Sequence, residues 1–303
     1  MLPRGREAWP RWLPAGIAGF LLIAWVRARA GVGEAALLTA ILTFAAAATA
    51  LAARRYEMRM PGRTRVLTTA TVLYAAFAVF WVGSTAPGVQ WFGSLEFHGP
   101  RNVNEVAITF DDGPNPPYTL QIATILEEYD ARGTFFEVGK AVVERPDVTK
   151  DLIARGHVVG NHSYNHGAFS YLDPSYPELA QTQHAFRDHV GVCPAIFRPP
   201  HGTHTPFMSK IVDDAGMALV TWDVSARDWV EDDPEVLAKH ILERVRPGSI
   251  ILLHDGIDGV IGADRSVVVE ALPIILQGLQ DLGLKPVTLD KLLGTPAFLP
   301  NCT

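Results

Sequence analysis

From Arg101 onward the chain alternates short β-like runs with longer segments of helical periodicity, and few folds accept that alternation. The runs cover 106–110, 134–138, 157–159, 196–198, 219–222, 249–253 and 286–289. Between them, 120–130, 146–155, 177–189, 206–215, 234–245 and 267–282 read as helices. Several open on a proline and close near a glycine (Gly133, Gly156, Gly191, Gly216, Gly283), the usual asymmetry of helix ends. Strand–helix alternation requires crossover connections and therefore a parallel sheet. Seven runs within 103–293 fit a small, distorted (β/α)7 barrel.

The polar residues add function to that frame. Asp111 and Asp112 follow the first run, His162 the third, Asp223 the fifth and His254 the sixth, while Arg198 ends the fourth. In a parallel barrel those strand ends share one face, where catalytic groups gather. Alone, Asp112-Gly113-Pro114 is ordinary turn chemistry. Two adjacent carboxylates, however, repel unless a cation or an arginine shares their site. His162 and His166 stand four residues apart, one turn along a helix and on one face. That spacing suits one divalent metal, with an aspartate from another strand end as third ligand and an open fourth position. Unaccompanied, such a pair reads as two surface histidines.

The mean hydropathy of +0.14 is high, and its excess lies at the N-terminus. Stretches 13–26, 35–53 and 66–82 are apolar, the last two without a charge and close to the ~20 residues that cross a bilayer. They predict a membrane region over 1–85 with about three transmembrane helices, a linker over 86–102 and a tail over 294–303. The first stretch also has the marks of a signal peptide, since Arg4 and Arg6 precede it and Ala28-Arg29-Ala30 resembles a cleavage site. A soluble alanine-rich helical domain is the plain alternative. Arginine placement favours the membrane: three spans with the N-terminus inside put eight arginines inside (Arg4, Arg6, Arg11, Arg54, Arg55, Arg59, Arg63, Arg65) and two, Arg27 and Arg29, outside. The remainder of the chain then lies on the extracytoplasmic face of a multi-pass cell-membrane protein. A net charge of −6 offers no basic surface, so no nucleic-acid partner is expected. Cys193 and Cys302 form no Cys-x-x-Cys motif, and in an oxidising compartment they could pair.

Thr109–Gly113, His162–His166, Arg198-Pro199-Pro200-His201-Gly202, Asp228-Trp229 and Leu252-Leu253-His254 occur in that order. Together they resemble the five motifs of the polysaccharide deacetylases, carbohydrate esterase family 4, whose domain is the NodB-homology domain. The resemblance spans roughly 103–293 and excludes the membrane stretches. It implies a NodB-type distorted barrel and one divalent metal, zinc with cobalt, nickel or manganese as alternatives, held by Asp112, His162 and His166. It makes Asp111 the general base, oriented by Arg198, and His254 the acid that protonates the departing amine. The backbone N–H of His201 would meet the oxyanion, with Trp222, Asp228, Trp229 and Leu252 lining the substrate side.

Two positions depart from the family pattern. His201 stands where tyrosine is usual, which keeps the backbone role and changes the groove. Ser225 stands where the fourth motif usually begins with an aspartate thought to tune the catalytic histidine. Asp223, on the same face of an extended strand, is the nearest substitute, so a less raised pKa is expected for His254 than in relatives that keep that aspartate. His98, His157, His184, His189 and His240 read as structural or solvated, and Glu127-Glu128 and Glu231-Asp232-Asp233 as solvated faces. The expected activity is removal of N-acetyl groups from N-acetylhexosamine units of a cell-surface polysaccharide such as peptidoglycan. The alternatives are an O-acetyl esterase, a silent glycan-binding module and a hydrolase of small amides. The oligomeric state is open.

Overall fold

The structure, a computed structural model, describes residues 62–302. The expected spans 13–26 and 35–53 lie outside them. The chain divides between Val89 and Gln90 into two compact units. The described part of the first contains helix α1 (Gly62–Thr85), which covers the third apolar stretch and exposes Leu73 and Phe77. Among the described residues no helix is long and apolar enough to cross a membrane.

The second unit is a parallel sheet with helices on its outer face. In chain order it comprises β1 (Glu105–Gly113), α2 (Tyr118–Glu128), β2 (Thr134–Glu137), α3 (Gly139–Glu144), α4 (Pro146–Ala154) and β3 (Val158–Asn161). There follow α5 (Glu178–His189), β4 (Ile196–Phe197), α6 (Pro206–Asp214), β5 (Ala218–Leu219), β6 (Val224–Ser225) and α7 (Pro234–Leu242). The unit closes with β7 (Ile250–His254), α8 (Ser266–Asp281), β8 (Lys285–Val287) and α9 (Leu289–Leu293). The strand order is β5-β4-β3-β2-β1-β7-β6, and β8 pairs with the start of β1.

Alternation along β1 sorts the core into two layers. Val106, Ile108 and Phe110 face outward and pack with Phe135, Ile251 and Leu253 against α2, α7 and α8. Ala107 faces inward with Phe136, Ile196, Val220 and Ile250, closing the floor of the barrel. Thr109 and Asp111 continue that inward row toward the open mouth.

The barrel differs from the expected seven strands in one respect. The run 219–222 does not carry one strand through: β5 stops at Leu219, the next strand, β6, starts only at Val224, and the two do not pair with each other. Glu96 takes the vacant place, its N–H donating to the Leu219 carbonyl and its own carbonyl accepting from Thr221 N–H. Residues 95–99, from the stretch read as linker, therefore contribute to the barrel wall, and His98 bridges to Ser249. Cys193 and Cys302 form a disulfide that ties the C-terminal tail to the approach to β4.

Candidate active site

Asp111 and Asp112 are neighbours on a strand, so their side chains should point to opposite faces. A register shift between Asp111 and Gly113, with Asp112 at φ +77°, turns the second carboxylate to the same mouth as the first. Arg198, fully buried at the end of β4, donates from Nη1 to Asp111 Oδ1 and Thr109 Oγ1, both at 2.7 Å, and from Nη2 to the Thr221 carbonyl at 3.0 Å. Its guanidinium lies 4.1 Å from the Phe136 ring centre and 5.7 Å from that of Trp222. One oxygen of Asp111 is thus fixed, while Oδ2 faces His162 Nε2 at 3.7 Å.

The two histidines converge differently from the sequence expectation. Residues 162–167 are not helical, so His162 and His166 do not share a helix face. They sit on a loop whose backbone enters the left-handed region at Ser163 (φ +65°) and His166 (φ +58°). Side chains hold that loop: Ser163 N–H donates to Asn161 Oδ1, His166 N–H to Ser163 Oγ, and the N–H groups of Tyr164 and Asn165 to Glu178 Oε2. The short polar residues that favour turns thereby override the helical reading of the spacing.

Asp112, His162 and His166 form a buried cluster whose ligand atoms all lie within 4.8 Å of one another. His166 Nε2 is 3.1 Å and His162 Nε2 3.4 Å from Asp112 Oδ1. His162 Nδ1 donates to the Arg198 carbonyl at 2.7 Å, which leaves the Nε2 lone pair facing the cluster. Asp112 Oδ1 is buried without a hydrogen-bond partner, a costly condition that a cation at this point would relieve. Burial would raise the Asp112 pKa, but the close imidazoles of His162 and His166, with His254 beyond them, hold it well below the usual carboxylate range. Burial and the neighbouring His162 lower His166 to about 4, so its imidazole is neutral at pH 7. A carboxylate and two imidazoles fit a divalent metal of the zinc class. Neither His201 nor His204 belongs to the cluster among the described residues; the His201 ring stands edge-on to His166, with centroids 4.7 Å apart.

His254 ends β7 and pairs in register with Asp111. Here the structure corrects the expectation built on Ser225 and Asp223. Asp223 turns toward the start of β7, accepting from Arg101 Nη2 at 2.6 Å, Ser249 Oγ and the Ile250 N–H. The partner of His254 is Asp228: Oδ1 lies 3.0 Å from Nδ1 and Oδ2 accepts the His254 N–H at 2.9 Å. Arg227, at φ +60°, turns the chain so that Asp228 reaches back. Arg265, unmarked in the sequence, donates to Asp228 Oδ2 and to the Asp228 and His254 carbonyls. Burial opposes a charge on His254, but Asp228, helped by Asp112 and Asp111, raises it to about 9. Asp223 takes no part in that shift; Asp228 does. Trp229, half exposed, places its ring 5.2 Å from that of His254. Leu252 lies buried two residues before His254 on the same face of β7, and His201 adopts φ +57° in a short 3-10 turn.

Residues 98–220 match the family model for polysaccharide deacetylases. A peptidoglycan-N-acetylglucosamine deacetylase of Bacillus cereus is 36% identical over 205 residues, covering 66% of this chain and 93% of the relative. This chain belongs to the polysaccharide deacetylase family. A chitooligosaccharide deacetylase of Azorhizobium caulinodans is 36% identical over 161 residues, covering 52% of this chain and 76% of that one. The deacetylase fold is also shared with the crystal structure of a peptidoglycan N-acetylglucosamine deacetylase bound to a naphthalenyl N-oxidanyl-benzamide. That likeness has a TM-score of 0.63 at 30% identity, covering 67% of this chain and 94% of the other.

Proposed function

We propose that this polysaccharide deacetylase removes acetyl groups from N-acetylhexosamine units of peptidoglycan, on the outer face of a membrane that its N-terminal region anchors. The observation that carries the catalytic part is the convergence of Asp112, His162 and His166 on one rim, between the Asp111–Arg198 pair and the His254–Asp228 pair. For the polymer, support comes from the Bacillus cereus relative. For the location, it comes from the arginine asymmetry and from a disulfide, a bond that persists in oxidising compartments.

Asp112, His162 and His166 would hold the metal, with zinc the ion that best suits their donor set. When bound, such an ion polarises a carbonyl and lowers the pKa of water. The remaining chemistry belongs to the chain. Asp111, held through Oδ1 by the Arg198 guanidinium, takes a proton from the attacking water through its free oxygen, Oδ2. His254 carries a proton at neutral pH and delivers it to the amine, without which the carbon–nitrogen bond would have to release a very poor leaving group. Asp228 and Arg265 fix the ring orientation of His254. Trp229 offers an apolar wall for the sugar face or the acetyl methyl.

The test is acetate release from purified peptidoglycan and from chito-oligomers, with and without chelator, for the wild type and Asp111→Asn. Release that the chelator abolishes, and that the substitution lowers by about 10²–10⁴-fold, is the expected result. Hydrolysis indifferent to both would overturn the mechanism, and release confined to O-acetylated glycan would make the enzyme an esterase.

A further inference from the structure

In the segment between β7 and α8, residues 255–264 have no role in the reading above, yet they are pinned to the site along their length. Asn115, buried beside β1, donates from Nδ2 to the Asp255 and Ala263 carbonyls and accepts the Gly262 N–H at 2.6 Å. The segment starts hard against a metal-site residue: a Cβ on Gly256 would fall 2.2 Å from the Asp112 carbonyl oxygen. Arg265 anchors its far end to His254 and Asp228.

Asp258 stands at the turn of this segment and touches two of the three candidate ligands. Its N–H donates to Asp112 Oδ2 at 3.0 Å, and its Oδ1 lies 2.6 Å from His166 Nδ1, a charge contact outside the alignment of a hydrogen bond. The backbone contact occupies the Asp112 oxygen that does not face the histidines, leaving Oδ1 for the cluster. The carboxylate contact decides where the His166 proton sits. A lone pair on Nδ1 at 2.6 Å from a carboxylate would be repelled, so the proton belongs on Nδ1 and the Nε2 lone pair faces Asp112. Asp258 holds this place with a left-handed backbone, φ +49°, followed by Gly259 at φ +67°. A non-glycine residue rarely adopts that conformation without support, and the anchors on either side supply it.

We infer that Asp258 is a positioning residue that brackets the metal site, setting the tautomer of His166 with its carboxylate and the orientation of Asp112 with its backbone N–H. The inference rests on the metal reading of Asp112, His162 and His166. It assigns to this segment a part in metal retention that is separate from the chemical step. Partners of metal ligands typically contribute a factor of 10–100 in affinity. Asp258 is 60% exposed on its side chain, which places the expected effect near the lower bound.

The test compares zinc affinity, by competition with a chromogenic chelator, in the wild type, Asp258→Ala and Asp258→Asn, with the thermal midpoint of each metal-free protein recorded alongside. The expected result is about tenfold weaker zinc binding in Asp258→Ala. Asp258→Asn, which keeps the shape of the side chain but not its charge, should fall between, with metal-free midpoints unchanged. At saturating zinc, kcat should return to near the wild-type value. Equal affinity in all three proteins would overturn the inference while leaving the metal site standing, and so would a loss of affinity that tracks unfolding of the metal-free protein. A wild type that binds no zinc would remove the metal reading itself, and this inference with it.

Discussion

His254 owes its charge chiefly to Asp228, with Asp112 and Asp111 in support. Burial alone would leave its imidazole neutral at pH 7; these carboxylates outweigh that and bring the pKa to about 9. A general acid must carry its proton, so kcat/KM should hold through neutrality and fall as the pH rises through about 9. In Asp228→Asn the burial effect is no longer outweighed, the basic limb moves to lower pH, and activity at pH 8 drops by about 10²-fold or more. A pH–rate profile with its basic limb unmoved in that variant would show that Asp228 does not govern the proton on His254. The sequence identified both residues but did not join them. An extended chain places Asp223 and Ser225 on one face, and only the left-handed turn at Arg227 exchanges Asp223 for Asp228. Positive φ at Asp112, Ser163, His166, His201, Arg227 and Asp258 is the general reason the site was only partly legible. Residue types and strand-end positions can be read from spacing. Backbone reversals at non-glycine residues cannot, because Asp and His, though enriched at positive φ, adopt ordinary backbone at most of their positions.

At the scale of elements, most strands and helices were visible as periodicity, and the differences are local. The expected helix 146–155 is preceded by a further helix, α3, and the fifth run stops at Leu219, where Glu96 enters the sheet. Non-local pairing of that kind leaves no mark in a window of neighbouring residues. The C-terminal tail is likewise held from a distance. Ala195 N–H donates to the Ala297 carbonyl, Leu299 N–H to the Cys193 carbonyl, and the disulfide closes a loop with a sequence separation of 109. Constraining so long a loop in the unfolded chain is worth at most about 4–5 kcal/mol. Cys302→Ser, or reduction of the wild type, should therefore lower the thermal midpoint by several degrees. The bond lies at the entrance to β4 and the chemistry at its exit, so kcat at 25 °C should change little. A midpoint identical with and without reductant would mean that the tail is held by its backbone pairing alone.

For the molecule as a whole, the metal site joins strands that are not neighbours. Asp112 ends β1, His162 and His166 follow β3, and β2 runs between them. The outer and inner apolar layers are complete without those three side chains. The metal-free protein should accordingly remain folded, and added zinc should raise its midpoint. An excess of a thousand-fold over Kd corresponds to about 4 kcal/mol, which in a domain of this size is roughly 10 °C. The sign with pH follows from the proton that zinc must displace. Burial works against a charge on His162, but Asp111 and Asp112 prevail and raise its pKa above the ordinary value of 6.5. Zinc must compete with that proton, so the increment in midpoint should be largest on the alkaline side and shrink as the pH falls. Asp112→Asn, which removes the charge of the shared ligand, should reduce the increment sharply at every pH. An increment equal at pH 5.5 and pH 8, or one that survives Asp112→Asn intact, would mean that zinc stabilises the protein from somewhere other than this rim.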